Sequence, residues 1–255
     1  MIPRTGWVVP ILMVCGLVCR TQGVEGDSAF LTRNFHPSTG AMLPYRLLLP
    51  VPMDSAREYP CIVFLHGAIA RGSDNEEPLN WGPRLLRENG QTNHASFFLI
   101  VPQCPKTLGW TSLPGGKGVD ALSMTVDLLT NQLAKEFKLD ARRRYLTGVS
   151  MGGIGLWGFM SQHPGVFAAG IPVCAAGTPS QVTREAARFP MWVFHSDDDH
   201  LIPVQSARDM VAAWKAHGGE AKYTEYTGLK HSSWKKAYLE PDLLRWLFQQ
   251  KLLSQ

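Results

Sequence analysis

The 255-residue chain is poor in charge: 18% of its residues are Asp, Glu, Lys or Arg, and 25 basic against 21 acidic residues leave only +4. So small and dispersed an excess does not make the basic patch that a nucleic acid requires. Cysteine is scarce as well, five in all, too few for a disulfide scaffold of this length. No His-x-x-x-His or Cys-x-x-Cys pair stands at ligand spacing, and no glycine-rich dinucleotide or phosphate loop is present. The sequence therefore asks for no metal and no nucleotide cofactor. The acidic run 197–199, with His195 and His200 beside it, offers carboxylates to a cation, but one loop rarely closes a coordination sphere. Internal repeats, long polar linkers and charge runs are also missing. What is there, 45% hydrophobic and 10% aromatic, excludes disordered and collagen-like classes. The length suits one α/β domain, or at most two small ones.

The first 23 residues read as a leader rather than as part of the fold. Arg4 supplies a basic start, and residues 7–18 form an apolar run of twelve, interrupted by Pro10. A membrane-spanning helix needs about 20 apolar residues, so this run is short for an anchor. Thr21 and Gly23 suit a signal-peptidase site before Val24. The expectation is a signal peptide at 1–23, a single catalytic domain at 24–255, and a secreted or periplasmic protein with no membrane attachment after cleavage. Loss of Arg4 and Arg20 leaves 23 basic against 21 acidic residues, or +2, and only Cys61, Cys104 and Cys174. Three thiols cannot all pair within one chain.

Beyond the leader, short β-like runs alternate with helical patterns, which predicts a mostly parallel sheet with helices on both faces. Strands are expected at 30–36, 43–49, 61–65, 97–101, 145–147, 168–174, 191–195 and 222–226. Leu122, Val126, Leu129, Leu133 and Phe137 recur every three or four residues and mark one face of a helix. Further helices are expected at 153–163, around Ala207, Met210, Val211 and Trp214, and at 242–253 behind Pro241.

Gly148-Val149-Ser150-Met151-Gly152 fits Gly-x-Ser-x-Gly between a predicted strand and a predicted helix, the context that motif requires. A sharp turn there lifts Ser150 out of the sheet edge, and the flanking glycines avoid collision. The helix start beneath it, beginning with the Met151 N–H, faces developing negative charge. A serine hydroxyl needs a base, and the base an orienting carboxylate. In chain order the base should follow the acid. His231, after the last predicted strand, fits that place. The loop after 191–195 offers Asp197, Asp198 and Asp199, and spacing alone leaves the choice open.

These motifs, together with Leu65-His66-Gly67-Ala68, Pro102-Gln103-Cys104-Pro105 and Gly228…His231-Ser-Ser-Trp234, resemble an α/β-hydrolase subgroup. It comprises secreted esterases and predicted peptidases related to dienelactone hydrolases, feruloyl esterases and polyhydroxybutyrate depolymerases. The resemblance covers nearly all of the chain after Phe30. It implies an α/β-hydrolase fold with a mostly parallel central sheet of about eight strands flanked by helices. In those families the acid follows the loop histidine by four residues, which selects Asp199 after His195. This chain has Ser196 where glycine is usual and Ile202 where valine is usual. The resemblance also implies a second oxyanion donor at Ala68, ahead of Gly67, with His66 in a supporting role. In the usual strand order Cys104 and Cys174 stand too far apart for a disulfide.

Trp81, Trp110 and Trp234 fall in loops expected to border the site, with Gln103 nearby, and are candidates for substrate contact. Only residues 175–190 separate two strands where many α/β-hydrolases insert a lid, so no large lid domain is expected. The reading is a serine hydrolase of carboxylic esters, short-chain or carried on a polysaccharide, acyl or feruloyl. The alternatives are a peptidase of prolyl-oligopeptidase type and a non-catalytic binding protein on a hydrolase scaffold. Oligomeric state is left open.

Overall fold

The computed structural model describes residues 26–37, 42–111 and 120–252. The leader expected at 1–23 and the glycine-rich 114–118 lie outside them. In chain order the elements are β1 (Phe30–Phe35), β2 (Leu43–Leu48), β3 (Tyr59–Leu65), α1 (Pro83–Thr92), β4 (Phe98–Pro102), α2 (Ala121–Asp127) and α3 (Ala134–Glu136). There follow β5 (Leu139–Val149), α4 (Met151–Gln162), β6 (Ala169–Val173), β7 (Met191–Ser196), α5 (Val204–Ala216), β8 (Ala221–Tyr226), α6 (Trp234–Ala237) and α7 (Leu243–Gln249).

The eight strands form one sheet in the order β1-β2-β4-β3-β5-β6-β7-β8. β1 and β2 pair antiparallel, as do β2 and β4; every other neighbour is parallel. β3, β4 and β6 are buried at every residue, as strands covered on both faces must be. Their side chains alternate between two layers. Cys61, Val63 and Leu65 of β3 join a core with Leu129, Leu156 and Trp214, while Ile62 and Phe64 join one with Leu86, Tyr238 and Leu247. The edge strands β1 and β8 keep exposed residues between buried ends.

Three elements differ from the sequence expectation. β5 begins at Leu139 rather than near 145, and its early part carries Arg142, Arg143 and Arg144, which show no apolar run. α1 was not expected, because it buries Asn89 and Gly90 beside Leu86. Asn89 Nδ2 donates to the Tyr238 and Glu240 carbonyls, so an amide does here what a hydrophobic side chain usually does. The last helix stops at Gln249, since the chain then runs extended and Leu252 N–H donates to the Arg142 carbonyl. The expected helix through Leu122 to Phe137 is present as α2 and α3, joined through a π-helical stretch at Leu128–Leu133.

Residues 175–190 hold two single 3₁₀ turns, Pro179–Gln181 and Ala186–Arg188, and no inserted domain. Cys61, Cys104 and Cys174 are buried and unpaired. Among the described residues, no helix is long and apolar enough to cross a membrane.

Candidate active site

β5 ends at Val149 and α4 begins at Met151, leaving Ser150 alone to make the turn. It does so at φ 54°, ψ −117°, a strained backbone for a residue with a Cβ. The turn is held from outside: Ser150 N–H donates to the Val173 carbonyl at 3.0 Å, and Ile154 N–H to the Ser150 carbonyl at 2.9 Å. So tight a reversal demands glycine on both sides. A Cβ on Gly148 would stand 2.4 Å from Gly152 C, and one on Gly152 would stand 2.0 Å from the Leu65 carbonyl oxygen.

Ser150 Oγ lies 2.9 Å from His231 Nε2, and His231 Nδ1 lies 2.7 Å from Asp199 Oδ2. A carboxylate only accepts, so Nδ1 carries the proton and Nε2 is free to receive the serine proton. Three loops that are distant in sequence converge here because β5, β6, β7 and β8 are neighbours and all end at the same edge. Asp199 is buried, and burial pushes its carboxyl up. The Ile202 N–H, the His231 ring and the Leu201 N–H outweigh that, holding it below the usual carboxylate range.

The other two aspartates brace the histidine loop. Ser196 Oγ donates to Asp198 Oδ1 at 2.6 Å and accepts the Leu229 N–H at 3.1 Å. Asp198 Oδ1 also accepts the Lys230 N–H at 2.9 Å, and Asp197 Oδ2 accepts the Thr227 hydroxyl at 3.0 Å. The serine at the usual glycine position thus ties the acid loop to the histidine loop.

Met151 opens α4, so its N–H has no acceptor within the helix. Ala68 opens the 3₁₀ turn Ala68–Ala70 and is exposed. This loop lies against the serine: a Cβ on Gly67 would stand 3.6 Å from Ser150 Cβ. His66 anchors it. Its Nε2 accepts the Cys104 N–H at 3.0 Å, which leaves Nδ1 to donate to the Gly67 carbonyl at 2.7 Å. Burial pulls this imidazole down to about 4, so the ring stays neutral.

Two candidates for substrate contact stand elsewhere. Trp110 is 1% exposed, stacks edge-on against His66 at 4.9 Å between centroids, and donates its Nε1–H to the His66 carbonyl at 2.9 Å. Gln103 is fully buried; its Nε2 donates to the Ala70 carbonyl and Asp74 Oδ2, each at 3.0 Å, and its Oε1 accepts the Asn75 N–H. Both side chains support the Ala68 loop from behind and offer no face to a ligand. Their large or polar nature suggested an open wall; closed hydrogen bonding put them inside. Trp81 and Trp234 do meet, at 5.8 Å between centroids and 48° between planes, half-buried, with Trp234 three residues beyond His231.

In the sequence His195 marks the acid four residues on and stands beside the acidic run 197–199. It is fully buried at the end of β7, and its Nε2 lies 3.2 Å from Asp199 Oδ2. Among the described residues, no group of three or more His, Cys, Asp and Glu side chains is arranged to hold a metal ion.

A solved thermostable esterase superposes on this chain with a TM-score of 0.78 at 35% identity, covering 88% of this chain and 64% of the other. A ferulic acid esterase gives a TM-score of 0.67 at 17% identity, covering 86% and 97%. This chain is an α/β-hydrolase by fold. Among curated proteins the α/β-hydrolase chain is similar to the bifunctional acetylxylan esterase/xylanase XynS20E of Neocallimastix patriciarum, 23% identical over 164 residues. That match takes in 64% of this chain, which spans only 23% of that protein and less than two thirds of the thermostable esterase. No family model matches the sequence.

Proposed function

We propose that this chain is a serine hydrolase that cleaves carboxylic esters, and the observation that carries the proposal is the unbroken relay from Ser150 Oγ through His231 to Asp199. Ser150 Oγ attacks the ester carbonyl carbon while His231 Nε2 takes its proton. The carbonyl oxygen becomes an oxyanion and is met by the N–H groups of Met151 and Ala68, worth a few kcal/mol in the transition state. Collapse breaks the bond to the alcohol oxygen, which leaves with the proton from His231. Water then gives a proton to His231, attacks the acyl-serine carbonyl, and releases the acid with Ser150 restored. Asp199 holds the ring in the productive tautomer and stabilises the imidazolium.

The thermostable esterase, 35% identical, and the acetylxylan esterase/xylanase support an ester over an amide. The two short turns of 175–190 leave the cleft without a lid in this segment, which suits a short acyl chain or an ester borne on a polymer such as a polysaccharide. The Trp81–Trp234 pair beside the histidine loop supplies an apolar wall for it. The 1–23 leader and a secreted domain of 24–255 belong to the same reading.

The test is hydrolysis of short p-nitrophenyl esters beside acetylated and feruloylated saccharides, with proline-containing peptides as the amide arm. Wild type should release acid from esters and Ser150→Ala should not. Preferential cleavage of the peptides would replace the esterase reading with a peptidase. Failure of a fluorophosphonate probe to label Ser150 would leave a binding protein.

A further inference from the structure

The acid of the relay is shared by two histidines. Asp199 Oδ1 accepts the Leu201 and Ile202 N–H groups at 2.9 and 3.0 Å. Its Oδ2 faces His231 Nδ1 at 2.7 Å and His195 Nε2 at 3.2 Å. His195 Nε2 also lies 2.9 Å from the Ile202 carbonyl. Both of its neighbours can only accept, so Nε2 must carry a proton. His195 Nδ1 is buried with no partner, and burial pulls the ring below the ordinary histidine range. A second proton on Nδ1 would have nothing to bind. His195 is therefore a neutral donor locked in one tautomer.

We infer that His195 is a positioning residue that tunes His231 by drawing charge from the oxygen the two rings share. This rests on the relay reading above. A carboxylate oxygen that receives a second N–H holds the imidazolium less tightly. Removing the His195 donor concentrates charge on Oδ2 and tightens its hold on the imidazolium that forms during the reaction. Removal also frees Asp199 to swing about the two N–H bonds on Oδ1.

The surrounding groups leave this effect to His195. Glu225, its partner in register on β8, is engaged by Arg208 of α5 and by the Tyr223 hydroxyl. Asp198 is bound to Ser196 and the Lys230 N–H. Cys174, at the end of the neighbouring β6, is held neutral by burial, which pushes its thiol up to about 12. His200 and Lys230 stand on the same loops, and neither is replaced in the variants.

The experiment compares wild type, His195→Phe and His195→Gln, the last of which can return an N–H to the position of Nε2. Two readouts are taken: the pH profile of kcat/KM on a short p-nitrophenyl ester, and the ring tautomers of His195 and His231 followed by nitrogen NMR. His195→Phe should move the acid limb of the kcat/KM profile to higher pH and lower kcat on the order of severalfold, with KM changed less than twofold. His195→Gln should restore both. In wild type the His195 ring should show the neutral Nε2–H tautomer. An unmoved acid limb and unchanged kcat in His195→Phe, or a His195 ring without the Nε2–H tautomer, overturns the inference. If His195→Phe does not fold, His195→Leu, which also lacks the N–H donor, carries the same comparison. Because the NMR readout needs no turnover, absent esterase activity would count against the relay reading alone.

Discussion

The carboxylate of Asp198 accepts the Lys230 N–H at 2.9 Å, one residue before His231. Lys230 sits at φ 50°, a left-handed backbone uncommon for a side chain of its size. The bond thus holds a strained turn whose next residue is His231, the base of the proposed relay. Asp198→Ala should lower kcat on the order of tenfold with little change in KM, because displacement of a catalytic ring by less than an ångström costs that much. Ser196→Gly should act in the same direction and more weakly. Steady-state kinetics on a short ester checks both. An unchanged kcat in Asp198→Ala would mean that the turn holds without this clasp.

Replacement within the relay should be far more severe. Ser150→Ala and His231→Ala should each lose about 10⁴-fold or more in kcat, and Asp199→Asn about 10⁴-fold. Asp197→Asn, whose carboxylate meets only the Thr227 hydroxyl here, should remain within about threefold of wild type. Circular dichroism on the same samples establishes that the fold persists.

His66 makes stability depend on pH. Its folded ring gains a proton only near 4, whereas the unfolded chain gains one near 6.5. The unfolded state therefore binds more protons between those values. The contribution of His66 is complete above about pH 6.5, drains as pH falls, and is gone near pH 4. The whole span is worth about 3 kcal/mol. Thermal unfolding followed from pH 7 to 4 should show this loss, and His66→Gln, which cannot titrate, should flatten the curve while lowering its upper end.

The nucleophile turn tolerates no added methyl group. In Gly152→Ala the new Cβ would lie 2.0 Å from the Leu65 carbonyl oxygen, which is backbone of a central strand and cannot withdraw. A loss of about 3 kcal/mol or more follows, seen as reduced soluble yield or a lower Tm. Gly218→Ala tests the contrast. No atom lies within 4 Å of that Cβ, and the cost comes only from φ +84°.

Much of the sheet was legible because buried parallel strands write themselves as unbroken apolar runs, as β3, β4 and β7 do. β5 was read short because its first half lies in a bulged pairing with β3 and carries arginines. α1 escaped notice because its buried face includes Asn89 and Gly90, which no hydrophobic period registers. At the site, motif and chain order single out Ser150 and His231, which lie 2.9 Å apart. Trp110 and Gln103 are buried, each donating to a backbone carbonyl of the Ala68 loop region. Residue type says that a side chain can contact a ligand. It does not say which backbone carbonyls will enclose it.

The sequence by itself determined the strand–turn–helix at Ser150, since a glycine-flanked serine between an apolar strand and a helix leaves the backbone few other paths. It also determined the order serine, acid, histidine along the chain. Tertiary structure decided the rest. The choice among Asp197, Asp198 and Asp199 rested on a family resemblance until sheet order brought β7 beside β8. It turned one carboxylate toward His231 and the others toward Thr227 and the Lys230 N–H. The second histidine on Asp199 became visible in the same way, because a hydrogen bond is chosen by distance in space, and neighbouring strands set that distance.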